Sequence, residues 1–335
     1  MHPYAELHCI SNFSFLRGAS HPEELVARAQ DQGYAGLALT DECSLAGVVR
    51  AHGEAKRLNF SLLIGSEFDL SDASGQLQSK LILIAKNRVG YGNLSQLITD
   101  ARRRAAKGFY ELTRDDLAEG IAVCVAVWCP PWVMAHAPDA AVRQAALLTE
   151  ARWLKDRFGH QLWCAVELLM YGNDAALLDQ ARLIEQRVGI TPVAAGNVHF
   201  HMRSRKGLHD TLTAIKHNQA IKDLGLALQP NAEQHLRSRL RLGQIYPSTM
   251  LEETLEVASH CQFTLDELRY EYPEEIVPEG QTPASWLREI TYDGAQIRFP
   301  EGVPPKVTAQ IEHELALISD LKYEPYFLTD RKSVV

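Results

Sequence analysis

Cysteine is scarce and poorly spaced for chemistry. The six thiols, at positions 9, 43, 124, 129, 164 and 261, form no CxxC pair and no zinc-ribbon spacing, and four of them lie inside apolar runs. That pattern excludes a disulfide framework and a thiol redox motif, and reads as reduced thiols of an intracellular protein. The 21 glycines never fall into GxGxxG, GxxxxGK[ST] or GxSxG, which removes the dinucleotide-binding, P-loop and α/β-hydrolase readings. Positive charge is short as well: 34 Lys and Arg against 42 Asp and Glu leave a net charge of −8. No global field therefore draws the chain to nucleic acid or membrane. Long hydrophobic runs are missing too. The most apolar window, 121–135, is broken by Pro130 and Pro131, and the opening residues, MHPYAE, have neither the basic nor the apolar region of a signal peptide. The expectation is a soluble, cytoplasmic protein with no membrane partner.

What is present suffices for a large core. With 335 residues, 46% of them hydrophobic, the chain suits one large α/β domain with a smaller one, or part of a larger protein. A short apolar strand near residue 4 runs into a polar loop carrying His8, Ser11, Asn12, Ser14 and Arg17. Ser20, Pro22 and Glu23 then read as a capping box that starts a helix ending at Gly33. Further strands are expected at 35–40, 61–68, 81–85, 121–127, 162–168 and 191–195, with helices at 45–57, 90–107, 139–157 and 174–188.

Seven strands separated mostly by helices indicate an α/β fold, a distorted seven-stranded β/α barrel rather than an open doubly wound sheet. The link over 71–79 is too short and polar for a crossover helix, so the strands it joins are expected to form an antiparallel hairpin. Beyond about residue 205 the patterns are helical only, at 208–217, 232–242, 249–260 and 306–321, with a proline-rich connection over 272–283. The division expected is 1–215 for the barrel and 216–335 for the helical part.

Two groups of residues carry chemistry. His8, Glu67 and His199 follow apolar strands, with Asp41, Glu42 and Asn197 nearby, and imidazoles and carboxylates converging at strand ends are how a hydrolytic metal centre is assembled. Three basic clusters have the character of phosphate contacts: Arg102, Arg103 and Arg104 with Lys107, then Arg203, Arg205 and Lys206, then Arg237, Arg239 and Arg241. Each group also has a plain structural reading, as hydrogen-bonded histidines and as solvated helix faces.

Longer segments resemble a known family. Residues 6–25 (ELHCISNFSFLRGASHPEEL), 39–52 (LTDECSLAGVVRAH), 64–68 (IGSEF), 90–94 (GYGNL) and 193–199 (VAAGNVH) are similar to the N-terminal PHP (polymerase and histidinol phosphatase) domain of C-family bacterial DNA polymerases, in particular the error-prone DnaE type. The similarity continues through 230–239, 268–273 and 321–329, nearly the whole chain.

The resemblance implies a PHP barrel, a role in damage-induced mutagenesis and translesion synthesis, and magnesium-dependent nucleotidyl transfer in the full-length polymerase. It implies DNA primer-template as substrate, with a sliding clamp and mutagenesis accessory proteins as partners. It also implies a metal site that is largely lost. The family pattern His-x-His keeps His8 but has Ile10 for the second histidine, and Arg17 for an aspartate. Thr-Asp-His has become Thr40-Asp41-Glu42, and the final Asp-x-His is Asn197-Val198-His199, while Glu67 matches. The expectation is no metal or at most one weakly held ion, a structural barrel, and no catalytic residue in this chain. The palm aspartates are expected beyond residue 335, and residues 330–335 (DRKSVV) depart from the family's continuation. The alternatives are a stand-alone PHP-type metal-dependent phosphoesterase and a non-enzymatic barrel that stabilises a partner.

Overall fold

A computed structural model describes residues 2–71, 77–118, 121–131, 139–268 and 277–330. Two compact units divide it between Leu268 and Arg269. The first holds β1 (Ala5–Cys9), α1 (Pro22–Asp31), β2 (Gly36–Leu39), α2 (Val48–Leu58), β3 (Leu62–Ser71), β4 (Leu77–Ala85), α3 (Arg88–Arg104), β5 (Cys124–Cys129), α4 (Ala140–Phe158), β6 (Leu162–Val166), α5 (Asp174–Val188), β7 (Thr191–Ala194), α6 (Lys206–His217), α7 (Arg239–Ile245) and α8 (Ser248–Ser259). The second holds α9 (Pro283–Arg298), α10 (Pro305–Asp320) and α11 (Glu324–Asp330). No helix among the described residues is long and apolar enough to cross a membrane.

The strands run β1 to β7 in sequence order within one curled sheet, as expected for a distorted barrel. Neighbours pair in parallel except at β4, which is antiparallel to both β3 and β5. The expected β3–β4 hairpin is present, and its consequence extends to β5, whose partner also runs against it. Beyond β7 the chain returns to β1: Ile10 N donates to Val198 O at 2.9 Å, and Val198 N donates to His8 O at 2.8 Å.

Period two sorts the strand residues between two faces. Leu63, Ile82, Ile84, Val125, Val127, Trp163, Ala165, Val193 and Ala195 form one buried cluster on the inner face. The alternate residues Leu81, Leu83, Cys124, Ala126 and Trp128 pack outward against the helices. Val257 of α8 and Cys261 join the inner cluster, near the start of β6, where Trp163 Nε1 donates to Glu253 at 2.7 Å.

Local details differ from the sequence expectation for identifiable reasons. Helix α1 is capped one residue later, at His21, whose N–H donates to Glu24 at 2.9 Å, because Ser20 Oγ is engaged with His201 Nδ1 at 2.7 Å. The expected helix over 232–242 is confined to Arg239–Ile245. Its first half is drawn out as extended backbone, where Gln234 O accepts from His199 N at 3.0 Å. Helix α9 lies just past the proline-rich stretch, started by Thr282, which accepts from Ser285 N at 3.2 Å, and by Pro283. Residues 331–335, most of the atypical tail, lie outside the described residues.

Glu6 clamps the return to β1. Its buried carboxylate accepts from His8 N at 3.0 Å, Gly196 N at 2.8 Å and Tyr4 OH at 2.9 Å. A Cβ on Gly196 would lie 2.3 Å from Glu6 Oε2. Gly196→Ala is therefore expected to cost about 1–3 kcal/mol, as overpacking does. Gly53→Ala, in α2 with nothing within 4 Å of its added Cβ, is expected to stabilise by up to about 1 kcal/mol. Urea midpoints of the two variants check the pair; equal values would remove the steric argument.

Candidate functional site

The inner rows that fill the interior end in polar residues. Along β3 the series Leu63, Gly65 continues to Glu67 and Asp69; along β5 Val125, Val127 continues to Cys129; past β6 Trp163, Ala165 continues to Glu167. Strand β4 enters this mouth at its beginning rather than its end, because it is antiparallel. Its Lys80 is paired in register with Asp69 on one side and Cys129 on the other. On β1 the register shifts between Glu6 and Cys9. Such an irregularity lets two successive residues share a face: Leu7 belongs to the inner cluster while His8 reaches the mouth.

Glu67, fully buried, is the hub. Its Oε2 lies 2.5 Å from His8 Nε2, and its Oε1 accepts from Lys80 Nζ at 3.0 Å and from Arg17 Nη1. Arg17 also donates to Glu42 at 2.6 Å, and Lys80 to Asp69 at 2.7 Å. Burial alone would raise the Glu67 carboxyl, but Arg17, Lys80 and His8 hold it well below the usual carboxylate range. The other ring nitrogen of His8 lies 2.7 Å from Glu167 Oε1 and 3.9 Å from Cys129 Sγ. Burial works against charge on His8 and is outweighed by Cys129 and Glu167, so its pKa stands well above that of a free imidazole. Burial pushes the Cys129 thiol up to about 11, so at neutral pH the carboxylate supplies this effect.

The remaining candidates have other partners. Asp41 accepts four bonds from the loop after β1, from Ser11 N and Oγ at 2.7 Å each and from Ser14 N at 3.1 Å and Oγ at 2.7 Å. It organises the loop that delivers Arg17. Asn197, in the left-handed region at φ 45°, donates to Glu167 Oε2 at 2.8 Å, and its Oδ1 lies 3.0 Å from His199 Nε2. His199 Nδ1 is 3.1 Å from His209 Nε2, and burial holds the pKa of His199 well below the ordinary imidazole value. Of the expected ligands, His8 and Glu67 are therefore joined directly, whereas His199 is tied to Asn197 and His209. Lys80, Cys129 and Glu167 were not singled out by sequence. For Cys129 and Glu167 the signal was the alternation of β5 and β6 continued one step past the last apolar inner residue; Lys80, near the start of β4, had none.

The basic clusters are largely engaged within the chain. Arg102 donates to Cys43 O at 3.2 Å and Glu42 O at 3.1 Å and lies over the Tyr110 ring, while Arg104 forms a two-pronged pair with Asp116 at 2.7 Å. Arg103 is exposed. Arg203 pairs with Glu233, Arg205 with Glu24 and Lys206 with Asp210. Arg237 is buried and donates to Leu168 O at 2.7 Å; Arg239 donates to Gln32 O at 3.1 Å.

Replacing Glu67 by Gln leaves Arg17 and Lys80 confronting each other without their shared counter-charge. The expected loss is about 3 kcal/mol at neutral pH, typical of breaking a buried ion pair from one side. Because the folded-state pKa of Glu67 is depressed, its contribution is complete above the unfolded carboxyl value of about 4.3 and is lost as pH falls through the folded value. Denaturant melts from pH 7 to pH 3 should show the wild type losing stability on acidification more steeply than Glu67→Gln; parallel curves would rule out this role.

A family model described as "PHP domain" matches residues 6–161, and one described as "Bacterial DNA polymerase III alpha NTPase domain" matches residues 285–334. The chain is 52% identical over 331 residues to an error-prone DNA polymerase of Dechloromonas aromatica, an alignment covering 97% of this chain and 31% of that protein. It is 51% identical over 327 residues to an error-prone DNA polymerase of Methylococcus capsulatus, covering 97% of this chain and 30% of the relative. For the error-prone DNA polymerase of Pseudomonas aeruginosa the identity is 46% over 329 residues, covering 98% and 30%. The chain thus spans a little under a third of the length of the relatives it matches. With a PHP-domain match, a polymerase III alpha match and relatives of one kind, the chain is similar along nearly its whole length to error-prone bacterial DNA polymerases.

Proposed function

We propose that the chain is the barrel-bearing part of an error-prone DNA polymerase acting in damage-induced mutagenesis and translesion synthesis, and that its barrel is a scaffold. Residues 1–215 are read as the PHP domain and 216–335 as the helical start of the polymerase core. The observation that carries the scaffold reading is the occupation of Glu67 by Arg17, Lys80 and His8. A phosphoesterase centre needs that carboxylate free and several donors converging on shared ions. A guanidinium in that position neutralises the carboxylates permanently, as a resident cation would, but offers no open coordination site and activates no water.

Nucleotidyl transfer in this reading needs magnesium held by carboxylates in the two-thirds of the relatives that this chain does not span. Primer-template DNA is gripped mainly there as well, with a sliding clamp and mutagenesis accessory proteins as further partners of the whole polymerase. The engagement of Arg102, Arg104, Arg203, Arg205 and Lys206 within the fold and the net charge of −8 both support weak DNA contact by this part.

Three measurements on the purified chain test the proposal. Manganese- or zinc-supplemented assays on phosphomonoesters and DNA 3′ ends should give no hydrolysis above background, and primer extension should be absent. Duplex DNA should bind no tighter than about 10⁻⁵ M at physiological salt, falling steeply as salt is added. Co-expression with the remaining two-thirds of the Dechloromonas relative should restore template-directed synthesis. Hydrolysis abolished by Glu67→Ala, or synthesis by the remaining part that is indifferent to this chain, would overturn the scaffold reading.

A further inference from the structure

A cavity of about 270 Å³ opens beside the charged hub, and Glu67, Arg17, Lys80 and His8 take no part in its wall. Ala165, Val166, Leu169, Leu177 and Ala181 give it an apolar floor. Its polar groups are short of donors. Gln234 is 3% exposed, yet its Oε1 has no hydrogen-bond partner. Asn173 stands at the N-cap of α5 without capping it, and its buried Oδ1 is unpartnered as well. Tyr171 gives its proton to Gln229 Oε1 at 2.5 Å, so the phenol oxygen can only accept a further bond. Buried acceptors without donors are costly, and two of them on one cavity wall mark it as built for an occupant.

The wall also fixes the sign of the charge that fits. Glu167 lines it with a fifth of its side chain exposed, and no Lys, Arg or His stands among the described lining residues. Burial works to raise the Glu167 carboxyl, but His8 and Asn197 hold it below the usual carboxylate value. Burial and then the Glu167 charge push the Tyr171 hydroxyl up to about 12, so the negative field reaches across the cavity. A phosphate or carboxylate would meet the like charge of Glu167 with no lining cation to offset it, and a neutral apolar guest would leave the acceptors bare. An ammonium carries three donors and no acceptor. On a short aliphatic stem it satisfies the wall and the floor together.

We propose that this cavity binds a small aliphatic amine in its ammonium form, a short-chain mono- or diamine, with Glu167 as the counter-charge and Gln234 and Asn173 as acceptors. The stem lies on Val166, Leu169 and Leu177. The inference goes beyond the scaffold reading and does not depend on it, because a barrel that hydrolyses nothing can still hold a ligand. It requires no metal ion.

The probes are 1,4-diaminobutane and n-butylamine. The full chain, titrated calorimetrically at neutral pH in about 0.15 M salt with EDTA present, should take up one equivalent of either amine. A Kd of about 10⁻⁴ M is expected for a ligand of so few atoms. 1-Pentanol and butyrate, similar in size but neutral and anionic, should bind at least tenfold more weakly. Glu167→Gln should weaken amine binding at least tenfold and Gln234→Leu at least threefold, with far-UV circular dichroism confirming that each variant is folded. Asp266→Asn, which removes an exposed carboxylate outside this cavity, should leave the Kd unchanged. That control separates a built site from general attraction to a chain of net charge −8. The inference is overturned by a wild type with no saturable uptake, by pentanol or butyrate binding as tightly as the amines, by a Kd unaltered in Glu167→Gln or in Gln234→Leu, or by an equal loss in Asp266→Asn.

Discussion

A single buried carboxylate determines how the mouth of the barrel is arranged. Glu67 has no exposure to water, and an isolated carboxylate there would be protonated or would not be buried at all. It remains charged because three cationic or protonatable groups from three different elements meet it: His8 from β1, Arg17 from the following loop and Lys80 from β4. Each of these reaches outward in turn, His8 to Glu167, Arg17 to Glu42 and Lys80 to Asp69. The network thereby links β1, β3, β4 and the segment beyond β6 through charge rather than through apolar packing. Its members carry geometric instructions as well as energy, since each fixes the rotamer of the next.

Arg17 meets a need that a metal ion can also meet. A metal centre and an ion-pair network answer the same electrostatic problem, a cluster of buried carboxylates that needs positive charge. A guanidinium answers it covalently, independent of metal supply, with a planar set of donors that suits carboxylates. In the scaffold reading a guanidinium keeps the charge and preserves the fold while supplying no open coordination site. Asn197 follows the same logic: an amide at that position donates to Glu167, whereas a carboxylate there would repel it.

Much of the fold was legible in the chain because apolar runs and helical periods mark the seven strands and most helices clearly. The hairpin at β3–β4 was visible in the polar link over 71–79. Less visible was what an antiparallel β4 does to the site. A search of strand C-termini finds Glu67, Cys129 and Glu167 in principle, but Lys80 stands at the start of its strand and reaches the same end only because the strand is reversed. The extended course of residues 232–238 was hidden for another reason. Their pattern is compatible with a helix, and the tertiary bond from His199 N to Gln234 O overrides it. The basic clusters show the limit of reading charge from sequence. Arg102, Arg104 and Arg237 look alike in a string of residues, and only their partners, a pair of carbonyls, an aspartate and a buried carbonyl, reveal that their charge is used inside the molecule.

The closing contact between His8 and Val198 has a consequence for synthesis on the ribosome. The two residues are 190 positions apart (198 minus 8), and Ala5 N waits for Thr254 Oγ1, 249 positions away. At about 5–20 residues per second, roughly 10–40 s pass between the emergence of His8 and that of its closing partner. Until then Glu6 lacks the Gly196 N–H, and His8 lacks Glu167 for much of the interval and Val198 for all of it, although both side chains are destined for complete burial. The first strand is made first but can be finished only late, so the nascent chain carries an unsheathed strand edge until the segment around Val198 emerges. The strand made first is thus among the last to be completed.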